Sequence, residues 1–246
     1  MLYKIFRRLT SAGLAGMAIA GSTALMAISP AFALSESAIL EKLDGIPVFL
    51  IVNGDGQSLT ANIPAESEGA EIQVPIVFID STEAENFLDE AENEGAAIAT
   101  DARIAVLPLD EVYREASSQL AGPDSLVYIP SAISVGQASE IVEQEIIGVP
   151  LYAAVDLENQ RYLLTGDNKL PMFFAFEDLQ AQVLSLVETN PEIEENIGVE
   201  VTTLETILSN MLANDPDNDS VLELVEFIPS SQTVEYLESL SGEGTP

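Results

Sequence analysis

Gly45-Ile46-Pro47-Val48-Phe49 recurs further along the chain as Gly148-Val149-Pro150-Leu151-Tyr152. This pair decides the fold reading, because the segments downstream of each copy also repeat. Val74-Pro75-Ile76-Val77-Phe78 returns as Leu170-Pro171-Met172-Phe173-Phe174. Ile104, Val106, Leu109, Val112 and Tyr113 match Val199, Val201, Leu204, Ile207 and Leu208. Tyr128-Ile129-Pro130-Ser131 matches Phe227-Ile228-Pro229-Ser230. The blocks keep their order at a period of about one hundred residues, too long for a solenoid repeat. The expectation is an α/β (α+β) fold made of two pseudo-symmetric copies of one unit, packed as one structure.

Periodicity fills in each unit. Val48–Val52 reads as a strand, Asn53-Gly54-Asp55-Gly56 as a hairpin turn and Ser58–Asn62 as its return. Ile72–Ile79 is a continuous apolar run, the signature of a strand covered on both faces. Thr82 to Glu85 has capping-box spacing, and Ala84, Phe87, Leu88 and Ala91 mark one helix face behind it. A strand at 104–107, a helix striped by Leu109, Val112, Tyr113, Ala116 and Leu120, a strand at 126–129 and a closing helix complete the unit. The second unit repeats this order, with strands at 151–155, 161–165, 171–175, 199–202 and 222–227. The prolines of the repeated blocks fall at strand ends, where a missing ladder donor is tolerated. The implied domains are residues 34–147 and 148–240, preceded by a short helix at 35–43 and followed by a flexible tail at 241–246.

The first 33 residues read differently. Lys4, Arg7 and Arg8 precede an apolar, Gly/Ala-rich stretch, Pro30 ends it, and Ala31-Phe32-Ala33 has the small-x-small pattern of a signal-peptidase site. Cleavage between Ala33 and Leu34 is expected. The stretch nearly reaches the roughly 20 apolar residues of a membrane span. Gly13, Gly16, Gly21, Ser22 and Thr23 make it a poor lipid-facing helix, so stable membrane insertion after cleavage is not expected. The expected destination is an extracytoplasmic compartment.

Composition removes several functions. The chain has 41 Asp+Glu against 8 Lys+Arg, a formal net charge of −33. That surface repels nucleic acid and anionic membranes. There is no Cys, His or Trp. Disulfides are excluded, and the commonest general base and metal ligand is missing. At 47% apolar, the chain is rich enough to build a core. No cofactor is called for.

The best metal lead is Asp215, Asp217, Asp219 and Glu226, which fit positions 1, 3, 5 and 12 of an EF-hand loop. Ser220 stands where that loop needs Gly, and a strand is expected where it needs a helix. An acidic loop is therefore the preferred reading, and no metal site is assigned. Asn53 to Gly56 lacks the Lys-Ser/Thr of a phosphate loop. Paired carboxylates for sugar cleavage are numerically available. The lack of Trp argues against a carbohydrate groove, and no catalytic residue is assigned.

The ordered blocks resemble a known family. Gly45 to Phe49 with its hairpin, Phe78-Ile79 leading into Glu85–Leu88, and Val106-Leu107-Pro108-Leu109 leading into Val112-Tyr113 carry the likeness. So do Gly148 to Tyr152, Pro171 to Phe174 leading into Leu179, and Ile228-Pro229-Ser230. Together they are similar to the 22-kDa Tic subunit family of the chloroplast import machinery and its cyanobacterial homologues, over nearly all of residues 36–240. The bacterial-type leader makes this chain look cyanobacterial. The resemblance implies a non-enzymatic, chaperone-type factor in protein transport and outer-membrane protein biogenesis, located in the periplasm, with the thylakoid lumen as the other compartment. Its partners would be unfolded or precursor proteins and the outer-membrane assembly machinery. The competing class is a periplasmic calcium-binding protein or carboxylate-based hydrolase. Phe49, Phe78, Tyr152 and Phe174, aromatic at matching places, are the candidates for lining a client-binding groove, with ordinary core as the alternative.

Overall fold

The structure is a computed structural model that describes residues 7–8, 34–64, 71–118, 120, 122–213 and 216–242. Apart from Arg7 and Arg8, the expected leader lies outside these residues, Ala33 of the cleavage site included. So does most of the expected tail. Ser241 and Gly242 belong to the last helix instead.

The elements, in chain order, begin with β1 (Arg7–Arg8), α1 (Glu36–Leu43), β2 (Pro47–Val52), β3 (Thr60–Pro64) and β4 (Glu71–Phe78). Next come α2 (Ser81–Asn93), β5 (Arg103–Pro108), α3 (Leu109–Ser117), β6 (Val127–Ile129) and α4 (Ala132–Val142). The second half has β7 (Pro150–Asp156), β8 (Arg161–Tyr162), β9 (Leu170–Phe173), α5 (Phe176–Thr189) and β10 (Ile197–Thr203). It closes with α6 (Leu204–Leu212), α7 (Pro216–Leu222), β11 (Val225–Ile228) and α8 (Ser231–Gly242).

The chain forms two compact units, one of Leu43–Ile133 with Gln232–Pro246 and one of Met1–Lys42 with Ser134–Ser231. We call them the β2 unit and the β7 unit. These boundaries differ from the sequence division at 147/148. The bulk of α4 belongs to the β7 unit, and α8 beyond its first residue belongs to the β2 unit. Each copy of the repeat thus gives its closing helix away. An amphipathic stripe states that a helix covers a sheet, not which sheet.

In the β2 unit, β5 pairs antiparallel with β2 along its whole length, and β6 pairs parallel with the end of β4. β2 meets β4 at Phe49–Phe78. The β7 unit uses the same pairings: β10 antiparallel on β7, Tyr152 opposite Phe173, and β11 parallel to β9. The hairpin return strands differ. β8 stays on β7, whereas Ser58, just ahead of β3, bridges Val52 and β3 itself runs along β4.

The pairing corrects one detail of the repeat. Phe78 lies opposite Phe49 and beside Ile129, while Phe173, not Phe174, lies opposite Tyr152 and beside Ile228. The proline-led blocks therefore align one residue out of structural register. A one-residue shift in a strand exchanges its two faces. Phe78 corresponds to Phe173, and Phe174 to Ile79.

Both units bury apolar strands. Phe49, Ile51, Phe78 and Ala84 form a cluster with Phe87, Leu88, Ile104, Val106 and Tyr236. Tyr152, Ala154, Phe173, Phe176, Leu179, Ile197 and Val199 form its counterpart, with Ala138 and Ile141 of α4. On β7 every residue from Pro150 to Val155 is buried, so both faces of that strand are covered. This is the pattern its continuous apolar sequence demands.

Helix starts also depart from expectation. The cap of α2 is Asp80, whose Oδ1 accepts from the Thr82 N–H at 2.7 Å, so the helix begins ahead of the Thr82 capping box. A short helix, α7, occupies 216–222, and the next strand starts at Val225. Pro216 opens that helix at the position where its missing N–H costs nothing. Helical backbone from 216 to 222 is incompatible with an EF-hand loop there. Asp215 lies outside the described residues.

Candidate interaction surface

The four aromatic candidates all lie inside. Phe49 and Phe78 are buried in the β2 unit, meeting Tyr236 and Phe87 edge-on with ring centroids 5.6 Å apart in each pair. Phe174 is buried against Phe227 at 6.2 Å. Tyr152 is fully buried beside Phe176 at 5.5 Å. Its hydroxyl donates to the Ser134 carbonyl at 2.6 Å, and the Ser134 hydroxyl donates to the Phe174 carbonyl at 3.1 Å. Burial pushes the Tyr152 phenol up to about 12, so it stays a neutral donor. These side chains hold the sheets together and offer no face to a partner.

The surface that is apolar lies elsewhere. In the β7 unit Ile147 is 86% exposed, and in the β2 unit Ile133 is 67% exposed. Leu164, Leu186 and Leu212 add smaller exposed patches to the first; Leu107, Val234 and Leu240 add them to the second. Scattered exposed aliphatics are ordinary. The two isoleucines stand out by the extent of their exposure, and the backbone beside each is pinned.

Ile147 sits between two anchors. The Ile146 N–H donates to the Ser139 hydroxyl at 3.3 Å, and the Ile146 side chain packs on the core. On the other side Gly148 takes φ +104°, a conformation that favours glycine. The Val149 N–H then donates to both carboxylate oxygens of Glu205, at 3.0 and 3.2 Å. Glu205 comes from the first turn of α6. A Cβ on Gly148 would lie 2.6 Å from its Oε2. Burial raises the Glu205 pKa, and the hydrogen bonds oppose that shift. The loop cannot sag inward, so Ile147 is presented outward.

Ile133 is pinned through α4. The Ala132 N–H, in the first turn, donates to Glu83 Oε1 at 2.9 Å. The same device recurs in the β7 unit, where Asp178 accepts from the Ser231 N–H at 2.8 Å and from its hydroxyl at 2.6 Å. An anionic acceptor at a helix N-terminus satisfies orphan N–H groups and meets the positive end of the dipole. The start of α8 is thus served by an acceptor on α5.

Elsewhere the carboxylates make structural contacts. Tyr162 donates to Glu200 Oε1 at 2.7 Å, and burial raises the pKa of both groups. Asp110 binds Arg114 at 2.7 Å, and its Oδ1 has no partner among the described residues. Among those residues no group of three metal-ligating side chains converges. Sequence reasoning missed Ile147, Ile133 and Glu205. Comparing the repeats offers one signal: Asp44 stands where Ile147 stands, so an exposed charge in one copy becomes an apolar residue in the other.

An α+β protein of two sheet-centred units, each closed by a helix from the other copy of the repeat, is the class these observations define. The model of the Tic22-like family matches residues 6–237, and the chain belongs to that family. It is similar to a curated relative, Protein TIC 22, chloroplastic, of Arabidopsis thaliana, with 22% identity over 213 residues. That match takes in 83% of this chain and 72% of the relative. The fold is that of solved Tic22 structures. Anabaena Tic22, described as a protein-transport protein, superposes with a TM-score of 0.64 at 23% identity, covering 87% of this chain and 99% of its own. Tic22 from Plasmodium falciparum gives 0.59 at 22% identity, covering 84% and 99%.

Proposed function

We propose that this chain is an exported protein-transport factor that holds extended, incompletely folded polypeptide on exposed apolar surface and performs no chemistry. The observation that carries this is Ile147, almost fully exposed on a loop clamped by Ser139, Gly148 and Glu205. An apolar side chain held rigidly in water costs solubility, and partner binding recovers that cost. Family membership supports the transport role. The buried carboxylates accept hydrogen bonds from Tyr162 and Val149, which supports structural work over hydrolysis. The periplasm is the proposed compartment, on the strength of the leader sequence. Precursor proteins, and through them the outer-membrane assembly machinery, are the proposed partners. The net charge of −33 keeps copies of an apolar-patched protein apart.

The test is suppression of aggregation of a urea-unfolded outer-membrane protein, at low and high salt. Suppression that survives high salt is expected, since screening weakens only ionic contact. No suppression at either salt by folded protein would overturn the reading. Intact mass of the native protein checks cleavage after Ala33, and cell fractionation checks the compartment.

A further inference from the structure

We propose that the outer edge of β5 accepts one extended segment of a client polypeptide as an added β-strand. The inference rests on the polypeptide-binding reading above and assigns it a place and a mode.

β5 is the end strand of its sheet among the described residues. Its six residues pair with β2 from Pro47–Pro108 to Val52–Arg103. The Leu109 N–H donates to the Ile46 carbonyl at 2.8 Å. In an antiparallel ladder hydrogen-bonded pairs alternate, so Ala105 and Leu107 bond inward to β2. Ile104 and Val106 then turn their N–H and C=O groups outward, away from β2. The strand is half-buried or exposed at every position, and Leu107 is 38% exposed.

Proteins usually blunt such edges with internal charge or by covering them. β10, the equivalent strand of the β7 unit, carries Glu200 in its middle, and β11 carries Glu226. β5 has four uncharged apolar residues between Arg103 and Pro108. In the full chain, before cleavage after Ala33, the β10 edge takes a strand at this position: β1 lies parallel on it, Arg7 beside Gly198 and Arg8 beside Val199. A strand added at this place is therefore compatible with the fold.

Charge selects the occupant. A second copy would bring another net charge of −33 to the edge. An apolar segment flanked by basic residues meets attraction instead. Main-chain bonds supply affinity without demanding one client sequence.

The experiment uses the purified protein and a synthetic peptide of alternating valine and threonine with lysines at both ends. Its twin has the same side chains with the central residues N-methylated, which removes donors from both edges. The expected result is that the peptide slows amide exchange at Ile104 and Val106 by about tenfold or more, and that the twin binds at least about tenfold more weakly. Val106→Pro, which removes an outward donor and leaves the β2 bonds in place, should weaken peptide binding likewise where melting shows it folded. If peptide and twin bind equally and these amides do not change, the contact lies elsewhere: the edge proposal falls and the polypeptide-binding reading stands. If no peptide binds, both fall. Protection of Ile104 and Val106 without peptide, rising with protein concentration, would make a second copy the occupant and overturn the proposal.

Discussion

The β2 and β7 units solve one folding problem with the same devices and diverge where those devices end. In both, a central strand pairs antiparallel with the strand that leads into a helix, and that helix begins with a leucine N–H on the residue before the central strand. Leu109 donates to Ile46 at 2.8 Å and Leu204 to Val149 at 2.9 Å. In both, a carboxylate three residues into the preceding long helix caps the closing helix, Glu83 in one and Asp178 in the other. Beyond this frame the units part. Asp110 turns to Arg114, whereas the longer Glu205 reaches the Val149 N–H. Asp44 gives way to Ile147, and a 3₁₀ turn at Pro123–Ser125 gives way to the helix α7. What closes a sheet is kept; what faces outward has changed.

The largest expected effect tests whether the central aromatics are equivalent. Phe49→Ala and Tyr152→Ala should each cost about 3–5 kcal/mol, measured by urea unfolding. Tyr152→Phe should cost only about 1 kcal/mol, the worth of its hydrogen bond. A loss below about 1 kcal/mol in either alanine variant would show a groove residue and break the comparison.

Next comes the divergent carboxylate pair. Glu205→Ala removes a charged acceptor from the Val149 N–H, so about 1.5–3 kcal/mol is expected. Asp110→Ala removes a pair whose arginine is 54% exposed, so a loss under about 1 kcal/mol is expected. Equal losses would mean that the Glu205 anchor is not special to the β7 unit.

These expectations depend on features of uneven legibility in the sequence. The repeated sequence blocks, which share strand pairings, are readable because Gly-x-Pro openings and apolar runs are local signals. The register is not fully readable: Pro75 and Pro171 align by eye, but neighbouring strands fix which face Phe78, Phe173 and Phe174 take. The exchange of closing helices leaves no local mark, since the stripe of α4 fits either sheet. The four aromatics look like surface candidates because repetition does not distinguish core from groove. Ile147 resembles a strand lead-in until Glu205, distant in sequence, is seen to hold Val149.

A smaller effect depends on pH. Burial raises the Glu200 pKa, so the folded state holds that proton longer than the unfolded state does. Stability therefore falls as pH rises from the ordinary carboxylate range, 4.5, through the folded value. Glu200→Gln keeps an acceptor for Tyr162 and removes the buried charge. It should melt higher than the parent at pH 7, and the difference should vanish below the ordinary carboxylate pKa. A difference independent of pH would remove charge burial as its cause.

The most direct test exchanges the residues that distinguish the two units at the surface. Ile147→Asp gives the β7 loop the residue of its counterpart, with Gly148, Val149 and Glu205 left in place. Capture of an unfolded outer-membrane protein should weaken by about tenfold, as loss of a well-buried aliphatic contact implies, with melting unchanged. Unchanged capture by the folded variant would contradict the claim that the pinned isoleucine holds clients.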